Sequence, residues 1–179
     1  MHELSLHILD LVENSIRAGA SIICVTVFEE PDADFLEICI EDNGPGVDVA
    51  PEQAMDPFYT TKAGKRTGLG LSMFRAAAEQ AGGRLELSRS EWGGAAVRVT
   101  MQLGHIDRAP LGDLAGTLSM LVCANPGIDF WCRVFSQGAD QCIRSGVLEQ
   151  EISRNGGDEF AVAKRYGEAV RIATASLNA

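Results

Sequence analysis

The 179-residue sequence predicts an α/β (α+β) two-layer sandwich, a mixed sheet with helices on one face, followed by a small α/β C-terminal unit. Three observations predict it. Apolar residues recur at three- and four-residue spacing near the start, and they alternate with polar ones in later segments. The resulting order is helix, strand, strand, long loop, helix, strand, strand. Hydrophobic residues make up 46% and charged residues 22%, a balance that can bury a globular core and excludes wholesale disorder.

The first helix is expected over residues 2–18. Leu4, Ile8, Leu11, Val12 and Ile16 share one face, and Gly19 is suited to terminate it. Residues 22–28 are rich in β-branched side chains, and over 35–41 Leu36, Ile38 and Ile40 alternate with Glu37, Cys39 and Glu41, as in a strand covered on one side. The turn-type stretch Pro31-Asp32-Ala33-Asp34 predicts that these two strands pair antiparallel. Residues 42–67 form a connection of a length uncommon in compact domains unless it binds something. A helix over 69–81 stops at Gly82-Gly83, and strands over 84–88 and 95–103 close as a hairpin across Trp92-Gly93-Gly94.

Residues 1–104 are therefore expected to form one domain, 105–110 a linker, and 111–179 the small unit packed onto the first. In that unit a helix over 113–124 is halted by Asn125-Pro126, a strand covers 128–135, and helices cover 147–154 and 158–176.

Charge and cysteine usage narrow the function classes. The net charge of −10 repels phosphate backbones and anionic lipid, so nucleic-acid and membrane partners are not expected. A single phosphate ligand held by backbone N–H groups remains compatible with it. No apolar run approaches the roughly 20 residues of a membrane span, and the start lacks a secretory pattern. Five cysteines without a C-x-x-C pair fit reduced thiols in a cytoplasm. Cys123, Cys132 and Cys142 match no compact chelating motif, and Cys123 and Cys132, in apolar surroundings, are expected to be buried thiols in preference to metal ligands. His105, Asp107 and Arg108 at the linker read as structural.

Four short elements carry the chemistry. They are Asp10-Leu11-Val12-Glu13-Asn14-Ser15-Ile16-Arg17-Ala18-Gly19 on the opening helix, Asp42-Asn43-Gly44-Pro45-Gly46 after a strand, Asp56-Pro57-Phe58-Tyr59-Thr60-Thr61-Lys62, and Gly68-Leu69-Gly70-Leu71 at a helix start. A carboxylate at a strand end, Asp42, can accept a hydrogen bond from an exocyclic amine such as that of adenine and so discriminate against bases lacking it. Gly44 and Gly46 let the backbone approach a ring closely or take positive φ. The Asn14 amide oxygen suits Mg²⁺ shared with phosphate. The amides opening the helix at Gly68-Leu69-Gly70 favour phosphate, on which Lys62, Lys65 and Arg66 can close. Taken singly, each element also reads as a tight turn, a solvated amide or a solvated charge; the joint pattern reverses that.

Together, in this order, the four elements resemble the nucleotide-site boxes of the GHKL superfamily, which takes in DNA gyrase B, the Hsp90 chaperones, histidine kinases and MutL. The resemblance covers about the first 103 residues and implies the Bergerat ATP-binding fold with ATP and Mg²⁺ as cofactors. It carries nucleotide contacts to Asn14, Asp42, Gly44 and Gly46, to Thr61, Lys62, Lys65, Arg66 and Thr67, and to Gly68, Leu69, Gly70 and Leu71. Asn14 also takes the metal.

In hydrolytic relatives a glutamate four residues before the motif asparagine activates water. Here that position is Asp10, one methylene shorter but on the same helix face as Asn14. Glu13 points about 100° away. Histidine kinases phosphorylate a histidine on a preceding helical hairpin, for which this sequence has no room, and His2 and His7 are poor substitutes. A self-phosphorylating sensor kinase is therefore not expected. The sequence is similar to short bacterial histidine-kinase-like ATPases, some encoded beside NAD-linked iron-hydrogenase subunits. That resemblance implies a regulatory or assembly protein partner, a hydrogenase-linked client among the candidates. Three classes stay open: a phosphotransferase acting on a partner, a slow ATPase switch using Asp10, and a non-catalytic binding module.

Overall fold

The computed structural model describes residues 3–46, 69–136 and 138–177. In chain order the elements are α1 (Leu4–Arg17), β1 (Ile22–Glu30), a 3-10 turn (Pro31–Ala33), β2 (Phe35–Asp42), α2 (Leu69–Gln80), β3 (Arg84–Arg89), β4 (Ala95–Gln102), α3 (Leu114–Ala124), β5 (Asp129–Ser136), β6 (Ala139–Arg144), α4 (Ser145–Arg154) and α5 (Glu159–Thr174). The strands form one six-stranded sheet in the order β3-β4-β2-β1-β5-β6. Neighbours run antiparallel except β1 and β5, which are parallel, so the sheet is mixed as expected.

Register explains why one face is dry. Leu87, Val97, Ile40, Val25, Cys132 and Ile143 line up side by side across all six strands. The next row, on the opposite face, is Glu86, Arg98, Cys39, Thr26, Arg133 and Cys142. Side chains alternate between faces along a strand, so a one-residue slip would exchange these rows and expose the core. The helices cover the apolar row. Leu4, Ile8, Leu11 and Val12 of α1, Phe74 and Ala78 of α2, Leu114 and Leu118 of α3, and Tyr166 and Val170 of α5 join the sheet residues in one continuous core.

Local chemistry fixes the ends of the helices. Asp113 and Asp158 cap α3 and α5 by accepting hydrogen bonds from the Gly116 and Ala161 amides at 2.9 Å. The side chain before α1, Glu3, makes no such cap. Instead the first amides of α1, Leu4 and Ser5, donate to the Pro110 and Leu111 carbonyls at 2.9 Å, so the backbone at 110–111 completes that helix.

Residues 111–179 contribute β5 and β6 to the common sheet, with β5 paired along β1 from Ile22↔Asp129 to Phe28↔Phe135. Strand β6 was not expected from the sequence. Its residues, Ala-Asp-Gln-Cys-Ile-Arg, lack a clean alternation because it is an edge strand with few buried positions. Among the described residues no helix is long and apolar enough to cross a membrane.

Candidate nucleotide site

Asp42 is the last residue of β2 and has the parity of Leu36, Ile38 and Ile40, so its carboxylate turns toward the helical layer. There the hydroxyl of Ser15 on α1 donates to Oδ2 at 2.6 Å. The amides of Gly44 and Ala95 donate to Oδ1 at 2.9 and 3.2 Å. Asp42 is only 5% exposed, so these three donors offset the cost of burying a carboxylate. An ionised carboxylate has about four acceptor positions, which leaves one for a ligand donor.

The chain around Asp42 is built for close approach. Gly46 has φ +80°, and a Cβ there would stand 3.4 Å from the Gly93 and Gly94 carbonyl oxygens. A Cβ on Gly94 would fall 2.1 Å from Asp42 Oδ1, so only glycine fits. Asn43 ties the loop to the start of β1: its Oδ1 accepts from the Ser21 and Ile22 amides, each at 2.9 Å, and its Nδ2 donates to Ser21 Oγ.

The second group lies further round α1, about 100° or more from Ser15. Asp10 is half-buried against the first turn of α2, where a Cβ on Gly70 would meet Asp10 Cβ at 3.3 Å. Burial, aided by the neighbouring Glu13 and opposed by Arg17, raises the Asp10 carboxyl above its ordinary pKa. Asn14, one turn further along, is exposed, and its Oδ1 accepts a short hydrogen bond from the Arg17 guanidinium, which also pairs with Glu13 at 3.2 Å. A cation recruited by Asn14 would therefore compete with Arg17 for the same oxygen.

Of the residues singled out in the sequence, the structure brings Asp42, Gly44 and Gly46 together at the end of β2 and sets Asp10 against Gly70 at the start of α2, with Asn14 one turn further along α1. Leu71 is half-buried against the core in the first turn of α2, which opens at Leu69. Thr61, Lys62, Lys65, Arg66, Thr67 and Gly68, with the stretch Asp56–Lys62, lie outside the described residues.

Sequence reasoning missed Ser15, Arg17, Gly94 and Ala95. Ser15 carried a signal: it lies four residues after Leu11 on the apolar face, where an unpartnered hydroxyl would be costly. The doubled glycine of the β3–β4 turn carried another. Asp42's use of Ala95, distant in sequence, had none.

His7 is 2% exposed, with its ring stacked on Phe74 at 4.8 Å, which shuts it away from phosphate chemistry. Cys132 is buried as expected, but Cys123 is exposed. The apolar side of α3 is Leu114, Ala115, Leu118, Leu121 and Val122, and one further step of about 100° turns Cys123 outward. No group of three metal-ligating side chains occurs among the described residues.

A buried, triply held carboxylate at a strand end, glycine-supported and facing a helix that carries Asp10 and Asn14, marks an α/β nucleotide-binding domain. The chain belongs to the family of histidine kinase-, DNA gyrase B- and HSP90-like ATPases, which it matches over residues 2–105. That segment is an ATP-binding domain of the histidine kinase type. The chain is similar to the sensor protein kinase PilS of Pseudomonas aeruginosa, with 30% identity over 105 residues, 55% of this chain and 20% of that protein. It is also similar to the sensor kinase CckA of Brucella abortus, with 48% identity over 56 residues, 30% of this chain and 6% of that protein. It thus spans a fifth or less of the curated relatives it matches. Among solved structures, the ATP-binding domain of PrrB from Mycobacterium tuberculosis aligns with TM-score 0.42 and 23% identity over 55% of this chain and 67% of that one. The N-terminal domain of a DNA repair protein aligns with TM-score 0.49 and 16% identity over 80% and 52%.

Proposed function

We propose that the chain binds Mg-ATP and uses it to phosphorylate or switch a protein partner in regulation or assembly. The observation that supports this best is Asp42, a buried carboxylate with three internal donors and acceptor capacity left for the exocyclic amine of adenine. Gly44 and Gly46 would let the ring approach, and the α2 N-terminus beginning near Gly68-Leu69-Gly70-Leu71 would receive phosphate through its free amides. Asn14 would hold Mg²⁺, with Arg17 released to the phosphate oxygens. Lys62, Lys65, Arg66, Thr61 and Thr67 would close over the nucleotide. When bound, Mg²⁺ offsets phosphate charge and orients the γ-phosphoryl group.

ATP titration of Asp42→Asn and Asn14→Ala tests the site. The first variant is expected to lose selectivity for ATP over GTP, the second to lose the Mg²⁺-dependent part of the affinity. Unchanged titrations for both overturn the assignment.

A second reading, a slow ATPase, is favoured by Asp10 itself. A carboxyl whose pKa is raised by burial is a better proton acceptor from water than an exposed one. In this reading Asp10→Ala abolishes phosphate release from γ-labelled ATP and leaves ATP binding intact. Incubation with γ-labelled ATP, with and without cell extract, separates the classes: label on a protein supports transfer, free phosphate supports hydrolysis, and neither leaves a binding module.

A further inference from the structure

The chain has two tryptophans, Trp92 and Trp131, and their rings meet at 5.2 Å with planes inclined by 60°. They arrive from distant parts of the sequence. Trp92 sits in the β3–β4 turn beside the candidate base pocket, and Trp131 lies on β5 in the 111–179 unit. In register Trp131 is opposite Cys24 and alternates with the core residues Phe130 and Cys132, so its ring is on the sheet face away from the helices. The Trp92 ring therefore reaches over that face from β4 to β5, past β2 and β1.

Both ends of this contact are fixed. Trp131 Nε1 donates to Asp129 Oδ2 at 2.7 Å, and Arg144 donates to the same oxygen at 2.8 Å while its guanidinium stands 3.9 Å from the Trp131 ring centroid. The Gly146 amide donates to Asp129 Oδ1 at 2.8 Å. At the other end, the Trp92 amide donates to Ser90 Oγ at 3.1 Å, and Ser90 N–H donates to the Gly94 carbonyl at 2.9 Å. The next two residues, Gly93 and Gly94, press on Gly46 and on the Asp42 carboxylate, and Ala95 donates to it.

We propose that Trp92 and Trp131 act as a pair of positioning residues for base recognition, so that the β5–β6 end of the C-terminal unit holds the Gly93-Gly94 turn and, through it, Asp42. This rests on the nucleotide reading of Asp42. A turn with two consecutive glycines is conformationally permissive and does not set its own shape. The indole packed on a distant, hydrogen-bonded partner supplies the missing restraint, and pre-organising a binding group in this way raises affinity without adding a contact to the ligand.

The test uses the full chain, titrated with ATP and GTP, with the folded fraction followed by circular dichroism. Trp92→Ala and Trp131→Ala are each expected to weaken ATP binding by about three- to tenfold, the range that loss of one aromatic pair allows. Trp92→Phe is expected to stay within about twofold of the native chain, and the double alanine variant to lose no more than the worse single. Alanine variants that melt earlier but, once folded, bind ATP as the native chain does would overturn the inference, and so would losses that add in the double variant. If Trp131→Ala does not fold, the contrast between Trp92→Ala and Trp92→Phe decides alone. Asp42→Asn separates the two failures. If it binds ATP normally, the base pocket itself is wrong; if it loses binding while both tryptophan variants retain it, only the positioning role is wrong.

Discussion

A carboxylate recognises an amine only if it is held still and kept partly unsatisfied. Asp42 meets both conditions because its donors come from three separate segments: Ser15 on α1, Gly44 in its own loop and Ala95 at the start of β4. Gly94 makes that convergence possible by lacking a side chain. Gly94→Ala is therefore expected to push the β3–β4 turn off Asp42, destabilising the fold by about 1–3 kcal/mol as overpacking does. It should also weaken ATP binding by more than about tenfold. Urea unfolding and nucleotide titration check the two effects, and a variant with native values in both would show that the turn yields without disturbing the carboxylate. Asp42, Asn14 and the motif glycines could be singled out as candidates in the sequence because each proposed chemistry needs one residue type at one place. Ala95 was hidden because its partner is defined only once strands β2 and β4 lie side by side. Ser15 and Gly94 showed only as a hydroxyl on an apolar face and a doubled glycine in a turn, with no partner named.

At the scale of elements, α1 and α2 meet through His7 and Phe74, whose ring planes are inclined by only 9°. Burial lowers the His7 pKa from 6.5 to about 4, so the ring is neutral in the native protein. Above pH 6.5 it is neutral in the unfolded chain as well and pH has no leverage through this residue. As pH falls from 6.5 toward 4, the unfolded chain takes up a proton that the folded state refuses, and stability declines by about 1.4 kcal/mol per pH unit. The total loss is about 3 kcal/mol by pH 4. His7→Phe, which keeps an aromatic ring against Phe74, is expected to flatten this slope. Urea midpoints from pH 7 to 4.5 measure it, and an unchanged slope would assign the acid sensitivity to other groups. The helices and strands β1 to β5 were legible from periodicity and turn signals, since most of them bury one face in a regular way. Strand β6 was not, because an edge strand can form from a polar sequence once β5 offers it a ladder.

For the whole molecule, the decisive contact is the parallel pairing of β1 with β5. It makes β1 an interior strand, whereas residues 1–104 read alone would leave it at an edge. Ending the chain after Pro110 would remove Leu114, Leu118, Phe130, Cys132, Val134, Tyr166 and Val170 from the common core and uncover the backbone of β1 over seven paired positions. An edge of that length, flanked by newly exposed apolar side chains, is a template for association. The shortened chain is therefore expected to lose its cooperative melt and to elute as aggregate, with ATP failing to rescue it, because ligand binding stabilises only a fold that exists to be bound. Thermal denaturation and size-exclusion chromatography of residues 1–110 measure this directly. A monomer with a sharp transition and native ATP affinity would mean that the family domain stands without its neighbour, and would remove the structural ground for tying the nucleotide pocket to β5.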